Sequence, residues 1–321
     1  MKLNITKINE SWIIDRIKNE WINNNSSTYT KYSKFADLVW IIAPWNISIN
    51  KISTFKNKKI IYSQYHIEDI SENSKEIEYL RRVEQYVDAF HVISLESQSI
   101  LSNLTKKPIY YLPLWVNQNI WFHISDKTNL RKKFLLSEDD YLVGSFQRDT
   151  EGSDLVSPKL VKGPDIFIKI VGEIFSKNPK LRVILTGTRR GYIISELEKL
   201  NIPYSYFEMA DFNMTNELYN ILDLYLITSR LEGGPQALVE CGQTRTPIIS
   251  TDVGLANQIL PPESIFDVND LTTFHHAKPN TNFAFEQSSL LRIPHGMKGY
   301  NDMFKEIYES IFVCRKQRGF A

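Results

Sequence analysis

Short runs of β-branched and aromatic residues recur along this chain, separated by stretches whose apolar positions fall three and four residues apart. DLVWIIA (37–43), KKIIYSQ (58–64), AFHVISL (89–95) and PIYYLPL (108–114) read as strands. Between them, 77–87 and 95–104 carry helical spacing, and 12–21 reads as an amphipathic helix that opens the chain with no strand before it. The second half repeats the alternation. Strands are predicted at 141–146, 181–187, 204–209, 224–229, 247–251 and 264–268, with helices at 164–175, 192–200, 215–222 and 235–244 and a last one at 301–312. Residues 269–299 give no clear pattern. Alternating strand and helix predicts α/β architecture with parallel sheets covered on both faces. We therefore expect two Rossmann-like, doubly wound domains over 1–122 and 123–300, the first of them shortened, with 301–321 crossing back onto the first.

All 13 glycines lie at position 144 or later. Backbone must approach a phosphate closely, so a nucleotide site is expected in the second half. Net charge is +1, which gives no global field toward nucleic acid. Cys241 and Cys314 form neither a disulfide framework nor a zinc motif, so a reducing, cytoplasmic setting is expected. The longest apolar run, 38–43, is far short of the ~20 residues of a membrane span. Basic clusters at 56–59, 131–133 and 315–318 offer peripheral membrane contact or plain solvated surface.

The most informative stretch is SRLEGGPQALVE, 229–240. It follows a buried strand and opens a helix, where ligands bind in α/β sheets. Gly233 and Gly234 permit a tight turn, and Pro235 suits the first helical position. The amides of Gln236 and Ala237 then face an anion. Glu232 and Glu240 would each accept hydrogen bonds from sugar hydroxyls on either side of a phosphate; the plainer alternative is a turn residue and a helix-surface charge.

This segment resembles the E-x7-E signature of retaining glycosyltransferases of GT-B fold, particularly family 4, and the likeness continues through 254. Upstream, GSFQR (144–148) and KGPD (162–165) resemble the family's arginine and lysine pair. The resemblance implies two Rossmann-like domains facing across a cleft and transfer of a sugar, with retention, from a nucleotide diphosphate sugar to a hydroxyl of a glycan, lipid or protein-linked acceptor. It implies no cofactor and no metal. Arg148 and Lys162 would hold the diphosphate, with Lys159 as an alternative because 149–161 is longer than usual. Glu232 would bind the transferred sugar and Glu240 the ribose. Thr186-Gly187-Thr188 would line the donor site, and 206–211 would adjoin the base. His66, just past a strand end, matches a histidine that faces the reacting sugar, while His91 reads as core. Trp45 is placed to stack on a sugar or to edge the core, and Cys241 reads as a small packed hydrophobe. Two other readings stay open: an epimerase or hydrolase on the same fold, and a silent sugar-nucleotide-binding subunit.

Overall fold

The computed structural model describes residues 1–7, 13–68, 70–71 and 74–318, with side chains through 310. The chain forms two units, Met1–Trp115 together with the stretch from Ile293 on, and Val116–Arg292.

The first unit holds β1 (Leu3–Ile5), α1 (Ile13–Asn24), β2 (Leu38–Ile41), α2 (Ile49–Ser53), β3 (Lys59–Ser63), α3 (Lys75–Glu84), β4 (Ala89–Val92), α4 (Leu95–Leu104) and β5 (Ile109–Tyr111). The strands are parallel and follow one another across the sheet in chain order. β1 corrects the expectation that the chain opens on a helix. Leu3, Asn4 and Ile5 pair with Leu38, Val39 and Trp40 and are all buried, but three residues are too few to show a period. Trp12, in the expected opening helix, lies outside the described residues.

Alternate residues of β2 build two separate cores. Leu38 and Trp40 pack with Ile17 and Trp21 of α1, whereas Val39 and Ile41 pack with Ile52, Ile77, Leu80 and Leu101 of α2, α3 and α4. Every crossover steps the same way across the sheet, yet α1 covers the opposite face. The β1–α1–β2 crossover therefore has the opposite hand to the three that follow. The C-terminal helix (Lys298–Arg318) covers the α1 face with Tyr300, Met303 and Phe304. Trp21 lies 6.1 Å from Trp40, 5.7 Å from Trp115 and 5.2 Å from Phe304, an aromatic core of large buried area.

The second unit holds α5 (Lys127–Lys133), β6 (Tyr141–Ser145), α6 (Pro164–Lys177), β7 (Leu181–Thr186), α7 (Gly191–Lys199), β8 (Tyr204–Phe207), α8 (Phe212–Ile221), β9 (Leu224–Ile227), α9 (Gln236–Thr244), β10 (Ile248–Thr251), α10 (Ala256–Ile259), β11 (Ile265–Phe266) and α11 (Thr281–Ser289). Its six parallel strands run β11-β10-β9-β6-β7-β8, so winding proceeds outward in both directions from the β6–β9 pair. That pair is the topological switch point, where a crevice opens at the carboxyl ends of the strands. The stretch without a clear pattern supplies α11. It locks onto α9 through Gln243, whose Nε2 donates to Ser288 Oγ at 2.7 Å and whose Oε1 accepts from Arg292 Nε at 2.6 Å.

Candidate functional site

The site of the second unit assembles from the loops that leave β6 and β9. After β6, Gln147 Nε2 donates to the Lys162 carbonyl at 2.9 Å. After β9, Ser229 Oγ donates to Gln147 Oε1 at 3.3 Å and to Glu232 Oε1 at 3.1 Å. Lys162 Nζ and Glu232 Oε1 form a close ion pair, with both side chains mostly shielded from solvent. Lys162, not Lys159, thus meets the first glutamate of the motif.

Two features hold Lys162 there. Gly163 has φ +61°, and a Cβ would stand 1.7 Å from the Thr228 carbonyl oxygen, so only glycine lets this turn lie against β9. Arg230 then clamps the start of α6 as a two-pronged fork, each guanidinium nitrogen 2.8 Å from an Asp165 oxygen. That fork holds the Asp165 carboxyl below its ordinary pKa.

The turn before α9 nests against the turn after β10. Gly254, at φ +57°, brings its backbone so close that a Cβ would meet Gly233 O at 2.8 Å and the Gly234 nitrogen at 2.9 Å. Pro235 is the residue before the helix rather than its first position: ψ is 117°, and its carbonyl accepts from Leu238 N–H at 3.1 Å. Gln236 and Ala237 follow as the first two helical residues, among the four whose amides an α-helix leaves without an intrahelical acceptor.

Glu240 is only 7% exposed, which overturns the surface-charge alternative. The Tyr219 hydroxyl donates to its Oε2 at 2.9 Å, and burial followed by the nearby carboxylate pushes the Tyr219 phenol well above its usual range. Phe146, Tyr219 and Tyr225 form a ring cluster, with centroids 4.8 to 5.3 Å apart, that joins the β6 exit to Glu240. Sequence reasoning missed Tyr219, because a tyrosine on the buried face of α8 carries no motif. Cys241, fully buried beside it, packs as expected, and burial raises its thiol well above normal.

Arg148 is exposed at the β6 exit and carries no hydrogen bond or ion pair among the described residues. Its neighbour Asp149 is 1% exposed and faces Arg190, also 1% exposed, at 3.2 Å. Burial outweighs Arg190 and the amides of Tyr192 and Ile193, so the Asp149 carboxyl is pushed up to about 6. Through backbone bonds, Asp149 N–H to Arg189 O and Lys159 N–H to Asp149 O, this residue ties the long 149–161 loop to the turn after β7. Gly187 in that turn accepts from the Tyr206 hydroxyl at 2.8 Å, joining the two stretches expected to line the base and donor.

His66 lies in the first unit and so outside this cluster; it is half-exposed, with Nε2 3.2 Å from Glu68 Oε1. It edges a cavity of about 740 Å³ past the ends of β2 and β3, shared with Trp45, Gln64, Tyr65, Glu76 and Tyr79. Trp45 is 56% exposed, 5.7 Å from the Tyr65 ring, and so edges the cavity rather than the core. His91 is core, held by Ser63 Oγ at 2.8 Å and the Leu112 carbonyl at 2.9 Å, and burial drives its pKa down to about 4. Among the described residues, no three His, Cys, Asp or Glu side chains cluster to hold a metal.

Residues 126–276 match the family model of glycosyl transferases group 1. Over that segment the chain is similar to the group 1 glycosyl transferases. The segment takes in every candidate donor residue from Arg148 to Glu240. By sequence, no curated protein matches the chain. By structure, the chain is similar to HepE of Anabaena in complex with UDP and glucose, at TM-score 0.73 and 12% identity over 95% of this chain and 99% of that one. It is similar also to sucrose-phosphate synthase of Thermosynechococcus elongatus, at TM-score 0.68 and 14% identity over 96% and 81%. The pneumococcal O-GlcNAc transferase GtfA in complex with UDP and GlcNAc aligns at TM-score 0.63 and 13% identity over 92% of this chain and 59% of that one. These likenesses carry the fold: two parallel-sheet, Rossmann-like units of GT-B type, the second of which contains the matched segment.

Proposed function

We propose that the protein transfers a sugar from a nucleoside diphosphate sugar to an acceptor hydroxyl, with retention at the anomeric carbon. The observation that carries this reading is the Lys162–Glu232 pair standing beside the glycine turn and the opening of α9, inside the group 1 segment. A lysine point charge, the fork of Arg148 and the α9 amides together supply the positive charge that a departing diphosphate requires. These cations do the work a bound metal would otherwise do, so transfer is expected to proceed with chelator present. Release of Lys162 to the diphosphate frees Glu232 to accept from hydroxyls of the sugar. Glu240, oriented by Tyr219, accepts from the ribose. Structures similar to this chain were solved with UDP or UDP-glucose, which supports a nucleotide sugar donor. The aromatic cavity at His66 is the acceptor side of this proposal, suited to a carbohydrate-bearing or lipid-linked hydroxyl, and His66 would donate to the transferred sugar.

The test is a thermal-shift panel of uridine, guanosine and adenosine diphosphate sugars with chelator, on the wild type and on Arg148→Ala and Glu240→Ala. Ligand at 100 times Kd adds about 2.7 kcal/mol of stability. One nucleotide should stabilise the wild type and lose that effect in both variants; unchanged affinity in Glu240→Ala would remove its ribose role. Donor binding with no turnover on any acceptor would point instead to a silent binding subunit. Donor consumption without acceptor would point to an epimerase or hydrolase.

A further inference from the structure

The amino-terminal edge of the first sheet carries a patch that the transfer chemistry does not use. Lys2 precedes β1, Lys31 and Lys34 precede β2, and Lys56 and Lys58 precede β3. Register places Leu3 opposite Leu38 and Leu38 opposite Lys59, so the three entering loops lie side by side. Lys58 Nζ donates to the Lys34 carbonyl at 3.2 Å, tying two of these loops together. From the patch project Tyr32 and Phe35, 58% and 62% exposed, with ring centroids 6.4 Å apart, edge to face. Lys34 Nζ sits 4.7 Å from the Phe35 ring centre and Lys31 Nζ 6.0 Å from that of Tyr32. The nearby carboxylates are engaged: Asp37 accepts from Lys2 N–H at 2.7 Å, and Asp88 from Lys59 Nζ at 2.8 Å.

We propose that this edge docks the protein on an anionic bilayer surface, with Tyr32 and Phe35 at headgroup depth and the lysines against lipid phosphates. Neither ring contributes to either core of the unit, whose nearest buried residue in sequence is Ala36. Aromatic side chains with one apolar end and a cationic rim are the residues that settle at a membrane interface. A nucleic acid would use the lysines but finds no open pair of parallel ring faces, because the two rings lean on each other. The other basic clusters do not compete. Arg131 is buried and held by Asp223, while Lys132 and Lys133 pair with Glu138 and Glu217. The side chains of 315–318 lie outside the described residues. Among the described residues no helix is long and apolar enough to cross a membrane, and surface docking needs none.

Co-sedimentation with vesicles of phosphatidylcholine containing phosphatidylglycerol, against phosphatidylcholine alone, tests the proposal without requiring turnover. The wild type should bind the anionic vesicles only, and more weakly as salt rises. Lys31→Glu with Lys34→Glu should cut binding by at least about tenfold, since each lysine at a charged surface contributes about fivefold. Tyr32→Ser with Phe35→Ser should weaken it several-fold while preserving salt dependence. Both variants alter exposed positions and should melt with the wild type. Lys132→Glu with Lys133→Glu, in the second unit, should bind like the wild type. Failure of the wild type to bind anionic vesicles overturns the proposal, as does wild-type binding by the patch variants or equal loss in the second-unit control. Lysine-dependent retention on heparin without vesicle binding would assign the edge to a soluble polyanion and overturn it as well.

Discussion

Two parallel α/β sheets in one chain solve different problems with the same alternation of elements. The second unit winds outward from β6 and β9, and the resulting crevice gathers Gln147, Lys162, Ser229 and Glu232 within hydrogen-bonding or ion-pairing reach. The first unit runs its strands in chain order; its cavity past the ends of β2 and β3 is lined by Trp45, Tyr65, His66 and Tyr79, and its largest side chains fill an interior of Trp21, Trp40, Trp115 and Tyr300. Glycine marks the same division, since Gly163 and Gly254 make backbone approaches that a Cβ would forbid. Winding order together with permissive backbone, rather than the fold class, decides which unit gathers this cluster of charged and polar side chains.

If the second unit stores its order in buried charge, breaking that charge should cost most. Arg190→Met leaves Asp149 buried without a counter-charge and should destabilise by about 3–5 kcal/mol in urea unfolding. Asp149→Leu with Arg190→Met should recover most of that loss. The more solvated pair of the first unit offers the contrast: Lys59→Ala, which removes the Lys59 partner of Asp88, should cost less than about 1 kcal/mol. Equal losses from the two would dissolve the distinction.

Catalytic asymmetry comes next in size. Lys162→Ala should lower turnover on the order of 10²- to 10³-fold and weaken donor binding, as expected for a group that neutralises leaving-group charge. His66→Ala should lower turnover while leaving nucleotide affinity intact. Calorimetric titration with the donor nucleotide separates the two variants, and loss of nucleotide binding in His66→Ala would break the assignment of roles.

Acid should then act on the two units with opposite sign. His91 titrates near 4 when folded but at 6.5 ordinarily, so the unfolded chain takes up its proton first. Stability of the first unit is full above about pH 6.5 and falls as pH drops, by roughly 2 kcal/mol at about pH 5. Asp149 titrates near 6 when folded against 3.8 ordinarily, so the folded state takes up its proton first. That group gains the second unit about 1 kcal/mol over the same drop. Hydrogen exchange of peptides from β4 and from α7, measured at both pH values, should show protection diverging between the units. Parallel changes would refute it.

How much of this was legible in sequence follows from the range of each signal. The strands of the second half, the glycine turn and the Glu232–Glu240 spacing are local patterns, and each appears near where it was read. His91 was legible as core because it sits in a run of apolar strand residues. β1 was not, because three residues flanked by polar ones have no period, and the face taken by α1 depends on packing across the whole sheet. The cluster 131–133 read as surface because a guanidinium buried against Asp223 looks no different in sequence from a solvated one. Tyr32 and Phe35 became a patch only when three distant loops met at one sheet edge.

The smallest test isolates one hydrogen bond in each unit. Tyr219 donates to the Glu240 carboxylate at 2.9 Å, and Tyr65 donates to the Ile42 carbonyl at 2.8 Å; both rings are buried. Changing either to phenylalanine removes one hydroxyl and leaves one acceptor short, so each should lose about 1 kcal/mol of stability. Their effects on ligand should differ. Tyr219→Phe releases the Glu240 carboxylate that is proposed to meet the ribose, and on that proposal nucleotide affinity should fall by about fivefold, equivalent to about 1 kcal/mol. Tyr65→Phe should leave nucleotide affinity unchanged, because its acceptor belongs to the other sheet. Matched stability losses with unmatched affinity losses would show that the phenol at Glu240 serves the ligand as well as the fold, whereas unchanged affinity in Tyr219→Phe would leave it a packing residue like its counterpart.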